Sequence, residues 1–179
     1  MTNAAAHPAP RPDAVPALLP VRARRQRPGP ATRERALLLG PLDTAPRCAR
    51  ATLIESLTLW GLRHLSDDGE AITSELVANA VTASITGAQA RGTEPSPVVL
   101  WIAVRSQELC IRVWDPDPTP PPRDRPSPGD DAEHGRGLVI VAALSQRWGW
   151  HHGPTGGKYV WATLPIGQSG DRDQEAARP

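Results

Sequence analysis

Apolar residues recur at three- and four-residue steps through Ile72, Leu76, Ala80 and Ala83, which predicts a helix with these side chains on one face. Ser66-Asp67-Asp68 is its expected cap, and Gly87 is the first glycine or proline to interrupt the run from Ala71. Glu75 and Asn79 lie one turn apart on this helix. At about 100° per residue, Asn79 falls within roughly 20° of Ile72 and 60° of Leu76, so a primary amide stands inside the apolar stripe with a carboxylate at its edge. Burying such groups without partners costs on the order of 1–3 kcal/mol each, so either a neighbouring backbone, water or a polar ligand must meet them.

The rest of the pattern alternates helix and strand. Ala36-Leu37-Leu38-Leu39, ended by Gly40-Pro41, suits a first strand, and Asp43 or Thr44 can cap a helix running to about Trp60 and stopping at Gly61. Gly87 to Pro97 reads as a loop. Val98–Val104 and Glu108–Asp115 read as a hairpin turning at Ser106-Gln107, with Leu109, Ile111 and Val113 on one face and Cys110, Arg112 and Trp114 on the other. A proline-rich loop, 116–134, is long enough to be a lid. Gly135-Arg136-Gly137 opens a short helix ending at Leu144, and two strands, 147–150 and 158–164, finish the chain around Gly153-Pro154-Thr155-Gly156-Gly157. This order predicts an α+β fold: a two-layer α/β sandwich whose mixed, mostly antiparallel sheet carries three helices on one face. The expected division is a basic, proline-rich, disordered arm over 1–34, one domain over 35–165 and a flexible tail over 166–179.

Composition narrows the function classes. The chain has 179 residues, a formal net charge of +1, 21 prolines, six tryptophans and no phenylalanine, and Lys158 is its only lysine. A charge so near zero argues against wholesale nucleic-acid binding, although Arg22, Arg24, Arg25 and Arg27 leave the arm basic enough to meet an acidic partner or DNA. Cys48 and Cys110 read as buried free thiols of a reducing cytosol, with a bridge between them as the alternative. The spacing of Cys and His matches no metal motif, and no stretch is suited to span a bilayer or lead secretion, so a soluble, cytoplasmic protein is expected.

Three features now stand in chain order: Glu75-Leu76-Val77-Ala78-Asn79-Ala80 on a helix, Asp115 at the end of a strand, and Gly135-Arg136-Gly137-Leu138 at a helix start behind a long loop. Together with Arg147-Trp148-Gly149-Trp150 and Gly156-Gly157-Lys158-Tyr159-Val160-Trp161-Ala162, the set resembles the GHKL ATPases of gyrase, MutL and the histidine kinases. Its nearest likeness is to the small anti-sigma-factor serine kinases of the RsbW and SpoIIAB type from actinobacteria.

That resemblance implies ATP and Mg²⁺ as cofactors. Asn79 offers a neutral amide oxygen to Mg²⁺, a hard cation that keeps several water or phosphate oxygens. Glu75 is the implied catalytic residue, orienting or deprotonating the hydroxyl that attacks the γ-phosphate. Asp115 accepts a hydrogen bond from the adenine amino group; taken alone it is an ordinary turn-initiating residue. Gly135, Gly137 and Leu138 bring a helix start against phosphates, and Arg136 either adds charge there or points to solvent. Lys158 either reaches a phosphate or is exposed.

The resemblance also implies partners: a sigma factor, a STAS-type anti-sigma antagonist phosphorylated on serine, and a second copy of the chain. The departures are Asp115-Pro116-Asp117-Pro118 where the family reads Asp-x-Gly, Lys158 where threonine is common, and Thr82-Ala83-Ser84 where a histidine is often found. They leave open a module of the same fold that binds nucleotide or partner with reduced catalysis.

Overall fold

The computed structural model describes residues 33–121 and 137–167. Most of the arm and tail, the second half of the proline-rich loop, and Gly135 and Arg136 lie outside the described residues. In chain order the elements are β1 (Arg33–Leu39), α1 (Ala45–Trp60), a 3₁₀ turn (Arg63–Leu65), α2 (Ser66–Arg91), β2 (Val98–Arg105), β3 (Glu108–Asp115), α3 (Gly137–Leu144), β4 (Arg147–His152) and β5 (Lys158–Pro165).

The strands form one sheet in the order β1-β2-β3-β5-β4, and each of the four pairings is antiparallel. Period-two alternation divides its faces. Leu109, Ile111 and Val113 of β3 are buried with Val98, Leu100 and Ile102 of β2 against Leu53 and Leu57 of α1, Ile72, Leu76 and Val77 of α2, and Val141 of α3. The result is the expected α+β sandwich, with the helices on one face. The opposite face carries Trp101 and Tyr159, with the Arg112 guanidinium 4.7 and 4.9 Å from their ring centroids. No helix among the described residues is long and apolar enough to cross a membrane.

Local chemistry explains the element ends, and in three places it departs from expectation. α1 stops as expected at Gly61, whose φ of 74° is left-handed and whose neighbour Leu62 donates back to Leu57 O at 2.8 Å. α2 does not stop at Gly87. It runs to Arg91 and ends at Gly92, with φ 65°, because Ala88 on the same turn is fully buried and outweighs a glycine cost of about 1 kcal/mol. Neither N-terminus uses the expected side-chain cap: Thr44 makes no capping bond, and α2 grows directly out of the 3₁₀ turn, with Asp67 and Asp68 in its first turn where the helix dipole favours them. Both cysteines are free, but Cys48 is exposed and Cys110 half-buried, because each sits on the outer side of its element.

The β2–β3 turn at Ser106 and Gln107 has φ of 45° and 67°. Two successive positive angles give the primed turn whose twist matches the hairpin, at a cost of about 1 kcal/mol for each non-glycine residue.

Candidate functional site

Helix α2 lies across the sheet so that Leu76, Asn79, Ala80 and Ala83, at helical spacing, look into one cavity of about 250 Å³. Val113 and Asp115 at the end of β3, Lys158 and Val160 at the start of β5, Leu138 of α3, and Asp117 and Thr119 to Pro121 from the first part of the proline-rich loop complete its wall. The cavity is mostly apolar; its polar lining comes from α2, through Asn79 and Thr82, and from β3, β5 and the loop, through Asp115, Lys158, Asp117 and Thr119.

At one end α3 begins against α2. A Cβ added to Gly137 would collide with Glu75 Oε2 and stand 3.4 Å from Asn79 Nδ2, so the glycine lets Glu75 lie against the start of this helix, and a larger residue would make that side chain swing away. Glu75 and Asn79 are half-buried, and among the described residues neither side chain has a hydrogen-bond partner. The pair lies against the first described residue of α3, and the N–H groups of a helix N-terminus favour an anion. This end fits a phosphate-bearing group with its cation: Asn79 would be the oxygen ligand, and Gly137 and Leu138 the backbone cradle. No cluster of three or more His, Cys, Asp or Glu among the described residues could hold a metal unaided, and Mg²⁺ ordinarily keeps several water or phosphate oxygens beside one or two protein ligands.

At the other end each charged group has a partner. Asp115 is 1% exposed and Lys158 5%. Lys158 Nζ donates to Asp115 Oδ1 at 2.8 Å and to Asp117 O at 2.9 Å, with Asp117 Oδ2 3.8 Å away. Asp117 N also donates to Asp115 Oδ1, at 3.0 Å, and Asp117 Oδ1 in turn accepts from Thr119 N at 3.0 Å and Thr119 Oγ1 at 2.8 Å. The Asp115-Pro116-Asp117-Pro118 run is thus two successive Asx turns, in which Asp117 folds back on the carboxylate.

Burial pushes the Asp115 carboxyl up to about 6, even though Lys158 and the Asp117 N–H pull the other way. At Asp117 burial also acts to raise the value, but the two Thr119 bonds and Lys158 outweigh it and hold the carboxyl below its ordinary range.

Lys158 is therefore neither exposed nor extended into the open cavity; it is folded onto Asp115. The register forces this, since Asp115 and Lys158 are direct partners across β3 and β5. The turn into β5 depends on glycine. Gly156 and Gly157 have φ of 101° and 67°, Trp114 Nε1 donates to Gly156 O at 3.1 Å, and a Cβ on Gly157 would strike Asp115 O.

The structure thus brings together Glu75, Asn79 and Gly137 at one end and Asp115 and Lys158 at the other, with Leu138 on the wall; Gly135 and Arg136 lie outside the described residues. Sequence reasoning missed Asp117 and Thr119 as site residues. It also missed Leu76, Val113 and Val160 as the apolar lining, although Val113 and Val160 share the alternation that exposed Asp115 and Lys158 to the same side.

A comparison with curated proteins gave no match. Residues 43–164, more than half of the chain, match the family model of the histidine kinase-like ATPase domain. That span takes in Glu75, Asn79, Asp115, Gly137 and Lys158, so the sequence match and the cavity coincide, and the chain belongs to the histidine kinase-like ATPase family.

Proposed function

We propose that this protein is an ATP-dependent serine/threonine kinase that acts as an anti-sigma factor, binding a sigma factor and phosphorylating a STAS-type antagonist. The observation that carries the reading is the convergence of two partnerless polar side chains, Glu75 and Asn79, on the glycine start of α3 at the end of a cavity suited to a flat ring. The apolar walls between Leu76, Val113, Leu138 and Val160 take the base, and Asp115 accepts from its amino group. Asn79 supplies the amide oxygen for Mg²⁺, which when bound neutralises phosphate charge.

Glu75 stands one turn away and would take the proton of, or orient, the hydroxyl or water that attacks the bound phosphate. The kinase domain occupies 35–165, between the arm over 1–34 and the tail over 166–179. A homodimer in the cytoplasm is part of this reading, with no membrane and no direct nucleic-acid partner.

The test is transfer from labelled Mg·ATP to the STAS-type proteins encoded in the same genome. Transfer to serine that disappears in Glu75→Ala supports the kinase. A second reading, a module that binds nucleotide or partner without turnover, is favoured by one observation: Lys158 already pairs with the carboxylate expected to read the base. Nucleotide binding without transfer to any STAS-type protein would select it.

A further inference from the structure

The chain contains one lysine, and its positive charge otherwise comes from arginine. That lysine is placed where solvent barely reaches it, with its ammonium held by Asp115 Oδ1, Asp117 O and, more loosely, Asp117 Oδ2. An ammonium is a compact charge with three donors on a flexible stem, and an arginine fork would not fit this three-way corner in the same way. Both donors to Asp115, Lys158 Nζ and Asp117 N, fall on Oδ1, so among the described residues Oδ2 has no donor. The cavity therefore ends in a carboxylate with one oxygen tied down and the other left for a ligand.

We propose that Lys158 is a positioning residue that keeps Asp115 ionised and fixed in orientation, so that Oδ2 is a single acceptor for an N–H donor on a flat ring. This inference rests on the nucleotide reading of the cavity and specifies how its base end works. The physical reason is that Asp115 lies where burial favours the neutral acid. A protonated Asp115 would carry its own O–H and compete as a donor, and it would lose the attraction that aligns it.

The groups that act on Asp115 are few. Lys158 faces it from β5 and Asp117 from the loop, while α2 and α3 line the cavity with the uncharged Leu76, Asn79, Ala80, Thr82, Ala83 and Leu138, the Glu75 carboxylate of α2 standing against Gly137 instead. On β4, His152 stands opposite Lys158, and Arg91 acts on Asp117. With Lys158 removed, no other cation among these touches the carboxylate, so its titration must move up.

The experiment uses the full chain in three forms, wild type, Lys158→Met and Asp115→Asn. Carboxyl ¹³C NMR follows the Asp115 titration, assigned by its absence in Asp115→Asn, and calorimetry follows Mg·ATP from pH 5 to 9. The expected result is an Asp115 midpoint at least two pH units higher in Lys158→Met. Its Mg·ATP affinity should be at least tenfold weaker than wild type at pH 7 and recover to within about threefold by pH 9, where Asp115 is ionised again. Asp115→Asn should bind with little pH dependence across this range. A merely structural role for Lys158 would give a loss that pH does not rescue.

An unmoved midpoint, a pH-independent loss, or binding equal to or tighter than wild type at pH 7 would overturn the proposal. If Lys158→Met does not fold, Lys158→Gln keeps a donor without the charge, and the same two readouts apply. If wild type binds no Mg·ATP at any pH, the nucleotide reading fails and base recognition with it, while the carboxyl titration still decides whether Lys158 holds Asp115 ionised.

Discussion

The two ends of the cavity are built on opposite plans. At the Asp115 end each charged group has partners within the chain, and Lys158, Asp115 and Asp117 close a compact network on one oxygen and one carbonyl. At the Gly137 end Glu75 and Asn79 approach a helix start with no side-chain hydrogen bond among the described residues. A satisfied buried ion pair contributes structure, and disturbing it is costly mainly because it strands a charge. An unsatisfied pair at a half-buried site contributes little to folding and waits for what a ligand brings. Changes at the first end should therefore register in stability as well as in binding, and changes at the second in binding and turnover with little effect on stability.

The largest effect is expected at the unsatisfied end. Glu75→Ala should lower phosphotransfer by about 100-fold or more, the usual size of a general-base contribution, while changing Mg·ATP affinity less than about threefold. Rapid-quench assays against calorimetry separate the two. A parallel loss of affinity would mean that Glu75 holds the ligand rather than the reacting hydroxyl.

Next is the paired end. Lys158→Met should destabilise the fold by about 3 kcal/mol at pH 7.5, and by less at pH 5, where Asp115 has taken up a proton and no charge is stranded. Urea denaturation at both pH values checks this, and an equal loss at both would mean that lost packing dominates. The wild type carries a smaller signature of the same group. Because Asp115 titrates near 6 in the folded chain, above its ordinary value of 3.8, the folded form binds the proton more tightly than the unfolded. Its contribution to stability is present below about pH 4 and is lost as pH rises through about 6. Asp115→Asn should flatten that part of the stability profile.

The smallest expected effect is on folding at the unsatisfied end. Asn79→Ala should leave unfolding free energy within about 0.5 kcal/mol of wild type, because no described hydrogen bond is removed. A loss above about 2 kcal/mol would show Asn79 to be a structural amide and would erase the contrast between the two ends.

The same contrast decides what was legible in the sequence. Glu75 and Asn79 share one helix, so their spacing and their position against the apolar stripe could be read from local periodicity. Asp115 was legible as the polar end of an alternating strand. The Asp115–Lys158 pair was not, because it depends on β5 pairing with β3 across an intervening helix and strand, a register that no local pattern fixes. The continuation of α2 past Gly87 was hidden for a related reason: the burial of Ala88 that supports it is tertiary. The glycine at 137 was recognised for its backbone freedom. What the fold adds is the neighbour it accommodates: Glu75 occupies the space that a side chain at 137 would take.

The central claim is that an amide set among apolar residues is there to receive a metal-bound triphosphate. Calorimetry of Mg·ATP on wild type and Asn79→Ala, with both proteins shown to be equally stable, tests it most directly. The account predicts magnesium-dependent binding by wild type and an affinity about 30-fold or more lower in Asn79→Ala, roughly 2 kcal/mol. Equal affinity in the two proteins, or binding by wild type that does not depend on magnesium, would contradict it.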